Sequence, residues 1–147
     1  RGQASYTLNE NIHYDYGVSG GSPVNEIMCD KLKEITYKVN LSLGTNYNTI
    51  LMNVYKDGKD CIGPHKDKEK GWVSGTGFAT IAFGATRKFN IVNDENEILT
   101  SIPHKSGWVI NMPNPLNLHN THSVPSQPRV KEARVSLTFR EICENKK

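Results

Sequence analysis

The pattern that most constrains this chain begins at Gly44, where short runs of β-branched and aromatic residues start to alternate with clusters of Gly, Pro, Asn and Asp. Runs of this length between such clusters are typical of antiparallel β domains. We therefore predict a mainly β core over residues 49–141. Its strands are predicted at Thr49–Tyr55, Ala79–Phe83, Lys88–Val92, Trp108–Met112, His122–Val124 and Ala133–Arg140.

Ahead of this core, the sequence predicts one loop segment and one helix. Ser22 and Pro23 suit the N-cap and the first position of a helix. The apolar residues that follow recur at steps of four, three and four, as on one helix face, and are Met28, Leu32, Ile35 and Val39. We predict a helix over residues 23–40 that packs on the sheet, preceded by a lid or loop over residues 1–22.

Length, charge and cysteine content narrow the class of protein. A chain of 147 residues suffices for one domain and is too short for two of ordinary size. The formal charge of +3 is compatible with a polyanionic partner, but it is also common among other proteins. Three widely spaced cysteines without a C-x-x-C pair favour a reducing intracellular compartment over a disulfide framework.

We looked to the sequence for patterns typical of a membrane span or a signal peptide. No apolar run approaches the roughly 18 residues of a membrane span, and no signal-peptide pattern opens the chain. We expect a monomer that does not enter a membrane. Because the first residue is Arg1 rather than a methionine, we also expect one domain of a longer protein, for which a viral polyprotein is one context.

The last predicted strand alternates polar and apolar residues. Its two faces carry Arg134, Ser136, Thr138 and Arg140 on one side and Val135, Leu137 and Phe139 on the other. The polar face would meet water on an edge or surface strand. Alternatively, it would line an interior cavity in which the two guanidiniums bind the carboxylates of a dicarboxylic acid.

A second alternating strand carries two further polar side chains. Asn53 and Tyr55 project to the same side, with Met52 and Val54 opposite, before Asp57-Gly58 ends the strand in a turn. An amide and a phenol could therefore face the same cavity. A half-buried strand with a polar outer face is the alternative.

Three residues have the types and spacing of a metal site. His65 and Asp67 are two residues apart and point the same way on an extended chain. A third ligand would complete a two-His, one-carboxylate triad that leaves coordination positions open. We predict His122, which opens a short strand, and we interpret His119, in a Pro- and Asn-rich loop, as a non-ligand. His13 and His104 lack metal-ligand spacing and are interpreted as non-ligands too.

In their order along the chain, these blocks resemble the AlkB family of nucleic-acid dealkylases. The family pattern is Asn-x-Tyr, His-x-Asp, a distant His and Arg-x-Asn-x-Thr-x-Arg, and it matches residues 53–140 with Ser136 in place of the Asn. The resemblance implies an antiparallel double-stranded β-helix, or jelly roll. It also implies oxidative demethylation of N-methylated bases in RNA or DNA, with formaldehyde, succinate and carbon dioxide as products.

The resemblance carries over to individual residues. His65, Asp67 and His122 would hold Fe(II), which uses dioxygen and the co-substrate 2-oxoglutarate. Arg134 would pair with the distal carboxylate of 2-oxoglutarate, and Arg140 would lie near its metal-bound end. The remaining co-substrate residues would be Asn53, Tyr55 and Ser136, of which Ser136 has a shorter reach than Asn or acts through a water molecule.

The resemblance also implies a substrate surface. Glu69 would meet the target base, or else it is a solvated charge in a Lys-rich loop. Tyr14 and Tyr16 would stack on a base drawn out of its helix, or else they are ordinary surface residues. The basic residues that could follow a phosphate backbone are Lys66, Lys68, Lys70, Arg87 and Lys88. A single-stranded substrate is favoured because the chain has no obvious insertion that could grip a duplex.

Two other functions fit parts of the pattern. The same iron centre could hydroxylate a protein or a small molecule, because the metal and co-substrate residues do not report the substrate. A structural zinc site built from Cys61, His65, His119 and His122 would make the chain a non-catalytic binding module. That alternative leaves Arg134 and Arg140 unexplained.

Overall fold

The computed structural model describes residues 1–15 and 23–145. The strands of these residues are β1 (Gly2–Thr7), β2 (Asn25–Ile27), β3 (Thr49–Tyr55), β4 (Ile62–His65), β5 (Phe78–Gly84), β6 (Arg87–Val92), β7 (Ile98–His104), β8 (Val109–Met112), β9 (Thr121–Val124) and β10 (Arg134–Arg140). The helices are α1 (Asp30–Leu43) and α2 (Asn114–His119). Among the described helices, none has the length and apolar character to span a membrane.

The strands form two sheets that enclose a cavity. One sheet has the order β2-β1-β3-β10-β5-β8 and the other has the order β4-β9-β6-β7. Their pairings are antiparallel except for that between β1 and β2. Side chains of both sheets line one cavity of about 320 Å³. This architecture confirms the predicted mainly β, antiparallel jelly-roll class.

Strand β10 shows how the alternating pattern directs the fold. Its apolar residues Val135, Leu137 and Phe139 pack in the cluster that also holds Leu32, Ile35 and Val39 of α1. Its polar residues line the cavity instead. Because β10 lies between β3 and β5 and is mostly buried, the edge or surface position considered for it is wrong. Hydrophobic burial against α1 therefore directs the guanidiniums into the molecule.

The predicted start of the helix is wrong. Residues Asn25–Ile27 form β2, and the helix begins at Asp30 and ends at Leu43. The edge of β1 accounts for this, because it offers backbone groups that pair with residues 25–27, and the backbone N–H of Met28 donates to Thr7 O at 2.9 Å. Gly44, with φ of 65°, caps the C-terminus in the left-handed conformation.

Four other regions differ from the prediction. Within the predicted lid, residues Gly2–Thr7 form β1, which pairs with β3 along its whole length. Strands β4 and β7 were not predicted, because the first contains Gly-Pro and the sequence of the second, ILTSIPH, does not alternate polar and apolar residues. The loop that contains His119 includes the short helix α2, of which His119 is the last residue.

The turn at Asp57-Gly58 holds the loop that precedes β10. The N–H of Gly58 donates to Val130 O at 2.8 Å, and Gly58 O accepts from the N–H of Gln127 at 2.8 Å. The buried guanidinium of Arg87 donates to the carbonyl oxygens of Asp57, Gly58, Asp60 and Pro125 at 2.8 to 3.4 Å. Arg87 is 1% exposed and is therefore a structural residue, which corrects its assignment to phosphate binding.

Gly58→Ala is expected to destabilise the fold, because the added Cβ would lie 1.8 Å from Gln127 O. Overpacking of this kind costs roughly 1–3 kcal/mol in the free energy of unfolding, measurable by urea denaturation. Gly63→Ala is the control, because a Cβ there meets no atom within 4 Å. Equal stability of the two variants would contradict this packing.

Candidate metal and co-substrate site

His65 and His122 meet because they lie opposite each other on the antiparallel strands β4 and β9. Their ring centroids are 4.3 Å apart. The Nε2 atoms lie 3.4 Å (His65) and 3.5 Å (His122) from Oδ1 of Asp67. One ligand atom of each residue falls within 4.8 Å of those of the other two. The predicted triad is therefore assembled in one place.

Asp67 is held from two directions. Arg140 of β10 donates to its Oδ2 from Nε at 3.0 Å and also from Nη2, which leaves Oδ1 facing the two imidazoles. The backbone of Asp67 exchanges two hydrogen bonds of 3.1 Å with the side chain of Asn117 in α2. Both the direction of the carboxylate and the position of its backbone are therefore set before any metal binds.

The protonation states of Asp67 and His122 favour the binding of a cation. Burial alone would raise the pKa of Asp67, but the Arg140 guanidinium and the neighbouring imidazoles of His122 and His65 hold it well below the ordinary 3.8. Burial lowers the pKa of His122 below 6.5, although the Asp67 carboxylate opposes this effect. At neutral pH the site therefore offers a carboxylate and a neutral imidazole as ligands.

Packing orients the two rings. Nδ1 of His65 lies 2.9 Å from Gly63 O, and because a carbonyl oxygen only accepts, Nδ1 carries the proton and Nε2 keeps its lone pair. The ring of His122 stacks on Phe89 at 5.5 Å and lies 5.0 Å from Phe78. Its Nδ1 has no hydrogen-bond partner among the residues that the structure describes, so aromatic packing and the contact of Nε2 with Asp67 orient the ring.

The predicted co-substrate residues are cross-strand neighbours. On the paired strands β3 and β10, Arg134 lies opposite Tyr55 and Ser136 lies opposite Asn53. The Oδ1 atom of Asn53 accepts from Arg1 Nη1 at 3.1 Å and Gln3 Nε2 at 3.0 Å, so its amide nitrogen is left for other acceptors. All the predicted co-substrate residues line the same cavity as the triad, namely Asn53, Tyr55, Arg134, Ser136 and Arg140.

Arg134 carries buried hydrogen-bonding capacity that the protein does not use. Arg134 is 2% exposed, and its Cζ lies 4.9 Å from the centroid of the Tyr55 ring. Nη2 donates to Nδ1 of His104 at 3.0 Å. Nε and Nη1 make no hydrogen bond of ordinary geometry in the described part of the chain, although the nearby Tyr55 hydroxyl also interacts with the guanidinium. Unpaired buried N–H groups on a cation are costly, and a carboxylate in the cavity would satisfy them.

The donors present fit Fe(II) and a dicarboxylate. Two imidazoles and one carboxylate with open positions form the facial triad that non-haem iron uses. The zinc alternative does not fit, because within residues 1–15 and 23–145 the clustered ligands are His65, Asp67 and His122. Cys61 and His119 are absent from that cluster, so the four-ligand set proposed for zinc is not formed.

The predicted substrate residues occupy different places. Tyr14 lines the cavity but is buried, with its hydroxyl donating to Lys68 O at 3.0 Å and accepting from Trp72 Nε1 at 2.9 Å. It is therefore a wall residue rather than a surface tyrosine. Tyr16 falls outside the described residues. Glu69 does not line this cavity, and its carboxylate accepts from Asn114 Nδ2 at 2.7 Å and Asn117 Nδ2 at 3.4 Å.

Sequence reasoning missed three contributors to the site. Asn117 positions Asp67, Trp72 holds the Tyr14 hydroxyl, and His104 bonds to Arg134. His104 is not a ligand in the described cluster, as expected, but its contact with Arg134 was not predicted. These contacts join segments far apart in the chain, and no local spacing signals them.

Comparison with known proteins agrees with this site. The model of the 2OG-Fe(II) oxygenase superfamily matches residues 3–140. The chain is 35% identical over 135 residues to DNA oxidative demethylase ALKBH2 of Mus musculus, covering 85% of this chain and 53% of that protein. It is 32% identical over 114 residues to alpha-ketoglutarate-dependent dioxygenase alkB homolog 3 of Rattus norvegicus, covering 71% of this chain and 39% of that protein.

A solved structure supports the fold. "The structure of OsALKBH1" matches with a TM-score of 0.63 at 16% identity, covering 83% of this chain and 68% of that chain. A jelly roll with a His-Asp-His cluster between its sheets defines the class of double-stranded β-helix oxygenases. The chain belongs to the 2OG-Fe(II) oxygenase superfamily and, by its relatives, to the AlkB family. It spans about half the length, or less, of these curated relatives.

Replacing His65, Asp67 or His122 by Ala should weaken Mn(II) binding, measured by anaerobic calorimetry, because each change removes a ligand. The loss should exceed the roughly 10–100-fold that removal of an outer partner causes. His119→Ala is the control, because this exposed histidine lies outside the cluster. Metal binding that depends on His119 and survives His122→Ala would refute the assignment.

Proposed function

We propose that this protein is an Fe(II)- and 2-oxoglutarate-dependent dioxygenase that demethylates N-methylated bases in nucleic acid. The observation that carries the proposal is a single cavity holding the His65, Asp67 and His122 cluster together with the unpaired N–H groups of Arg134. The names of the relatives, an oxidative DNA demethylase and an alpha-ketoglutarate-dependent dioxygenase, support it.

Each part of the site has a role in this reaction. His65, Asp67 and His122 would hold Fe(II), and Arg134 would bind the distal carboxylate of 2-oxoglutarate with the help of Asn53, Tyr55 and Ser136. Bound iron supplies, with 2-oxoglutarate and dioxygen, the oxidation of an N-methyl carbon that yields formaldehyde, succinate and carbon dioxide. The N-hydroxymethyl group formed on the base would break down to formaldehyde. An exocyclic nitrogen then keeps the hydroxyl proton, whereas a cationic ring nitrogen recovers its lone pair and the proton passes to water.

The protein's own contribution is to orient these groups and to exclude water. Arg140 fixes the Asp67 carboxylate, so the ligand geometry does not depend on the metal alone. Phe78 and Phe89 pack on His122 and line the cavity with other apolar side chains. Apolar side chains beside the metal would exclude water and so limit side reactions during the oxidation.

The substrate would approach from the side of Tyr14 and Glu69. We propose that Glu69, whose carboxylate is oriented by Asn114 and Asn117, accepts a hydrogen bond from an amino group of the base. Tyr16 is proposed to stack on the base, on the strength of the family resemblance alone. The exposed side chains of Lys66, Lys68, Lys70 and Lys88 would contact phosphates, so binding would weaken as salt concentration rises.

We further propose a single-stranded RNA or DNA substrate and a reducing intracellular compartment. The turn between β6 and β7 spans only residues 93–97. It therefore offers little surface that could contact the second strand of a nucleic-acid duplex. Cys29, Cys61 and Cys143 are exposed free thiols, as expected in a reducing environment, which also keeps iron in the ferrous state. A monomer, within a longer protein, is proposed from the sequence alone.

A panel of methylated oligonucleotides tests the proposal. N1-methyladenine, N3-methylcytosine and N6-methyladenine would be placed in single- and double-stranded RNA and DNA, and the products measured by mass spectrometry. We expect unmodified base and formaldehyde in equal amounts, with single strands preferred and Asp67→Ala inactive. Succinate formation without demethylation of any oligonucleotide would refute a nucleic-acid substrate and favour hydroxylation of a protein or small molecule.

Arg134→Ala is expected to raise the KM for 2-oxoglutarate roughly 10- to 100-fold, because a charge-assisted hydrogen bond contributes about 1.5–3 kcal/mol. Steady-state kinetics with varied 2-oxoglutarate measures this. Arg129→Ala, which removes an exposed arginine, is the matched control and should leave the KM unchanged. An unaltered KM in Arg134→Ala would overturn the assigned role.

A further inference from the structure

We propose that His104 is a positioning residue for the co-substrate, which holds the Arg134 guanidinium so that its remaining N–H groups are available to a carboxylate in the cavity. His104 belongs to none of the motifs that carry the family resemblance. The inference rests on the proposed binding of 2-oxoglutarate at Arg134, and it extends that binding site by one residue.

The contact between His104 and Arg134 joins the two sheets. His104 is the last residue of β7 in the four-stranded sheet, and Arg134 is the first residue of β10 in the six-stranded sheet. Nη2 of Arg134 lies 3.0 Å from Nδ1 of His104. His104 is 0% exposed and Arg134 is 2% exposed. Water therefore cannot readily replace either partner.

The second ring nitrogen determines which tautomer is present. Nε2 of His104 lies 2.8 Å from Trp108 O, and because a carbonyl oxygen only accepts, Nε2 carries the proton. In a neutral imidazole Nδ1 is then an acceptor, and a guanidinium can only donate. The backbone of Trp108 thus prepares His104 to receive Arg134.

The surroundings keep the imidazole neutral. Burial lowers the pKa of His104 to about 4, and the positive charge of Arg134 acts in the same direction, against the hydrogen bond to Trp108. The rings of His104 and Phe89 also pack in a T-shaped arrangement, with centroids 6.2 Å apart at 85°. At neutral pH His104 is therefore an uncharged acceptor held rigidly by its neighbours.

These contacts fix which N–H groups of Arg134 bind the protein and which remain available to a ligand. His104 takes a hydrogen bond from Nη2, the Tyr55 ring lies 4.9 Å from Cζ, and Nε and Nη1 are unpaired in the described part of the chain. Without an acceptor at residue 104, Nη2 would become a third buried donor lacking a partner. The guanidinium would then turn toward other acceptors, and its orientation toward the cavity would be lost.

Three substitutions separate positioning from simple structural support. His104→Asn places an amide oxygen near the Nδ1 position and keeps an acceptor for Arg134. His104→Gln places its amide near the Nε2 position and can keep the bond to Trp108 but not the one to Arg134. His104→Leu removes both bonds at similar volume, and His119→Leu is the surface control.

The readout is equilibrium binding rather than turnover. 2-Oxoglutarate would be titrated anaerobically into the Mn(II)-loaded protein by calorimetry. We expect His104→Leu and His104→Gln to raise the Kd about tenfold, the lower end of what partners of a binding group contribute, and His104→Asn to stay within about threefold. The companion ligand 2-oxopentanoate has the same chelating end but no distal carboxylate, and its Kd should be equal in all variants.

Each outcome decides the proposal. Wild-type affinity for 2-oxoglutarate in His104→Leu would overturn it while leaving the proposed function intact. Equal weakening of 2-oxoglutarate and 2-oxopentanoate, or equal effects of Asn and Gln, would show a structural role only. Should the Leu variant not fold, the comparison of Asn with Gln gives the decision. No binding of 2-oxoglutarate by the wild-type protein would instead refute the proposed function itself.

Discussion

A carboxylate buried between two sheets is stable only when cations or donors compensate for the water it has lost. In this chain Arg140 of β10 binds Oδ2 of Asp67, and this ion pair ties the six-stranded sheet to the segment after β4. Removing one partner of such a pair typically costs about 3–5 kcal/mol. The same contact aims Oδ1 at His65 and His122, so a requirement of stability also orders the metal ligands.

The cavity concentrates polar groups where a folded protein would ordinarily place apolar ones. Asn53, Arg134, Ser136 and Arg140 are all at most 6% exposed, and β10 can place them there because its other face packs against α1. Most of this polarity is satisfied internally. The unpaired Nε and Nη1 of Arg134 are an exception, and a site that sacrifices stability in this way is suited to bind an anion.

Local periodicity predicted the part of the site that lies on regular strands. Alternation in β3 and β10 placed Asn53, Tyr55 and Arg134 on one face, and the two-residue step from His65 to Asp67 indicated a shared direction. Periodicity failed to predict strands whose buried residues are polar, as in β1, where Ser5 and Thr7 are 1% exposed. It also failed where tertiary pairing decides, as in β2, and it did not reveal His104 or Asn117, whose partners come from distant segments.

The most direct test of the account is optical. Fe(II) and 2-oxoglutarate would be added to the protein without oxygen, and the visible charge-transfer absorption that 2-oxoglutarate chelated to ferrous iron produces would be recorded. The band is expected to saturate at one equivalent of each. At low co-substrate concentration it should be lost when the carboxylate of Asp67 or the guanidinium of Arg134 is removed. One tightly held zinc ion, with no band and no affinity for 2-oxoglutarate, would contradict an iron and 2-oxoglutarate site.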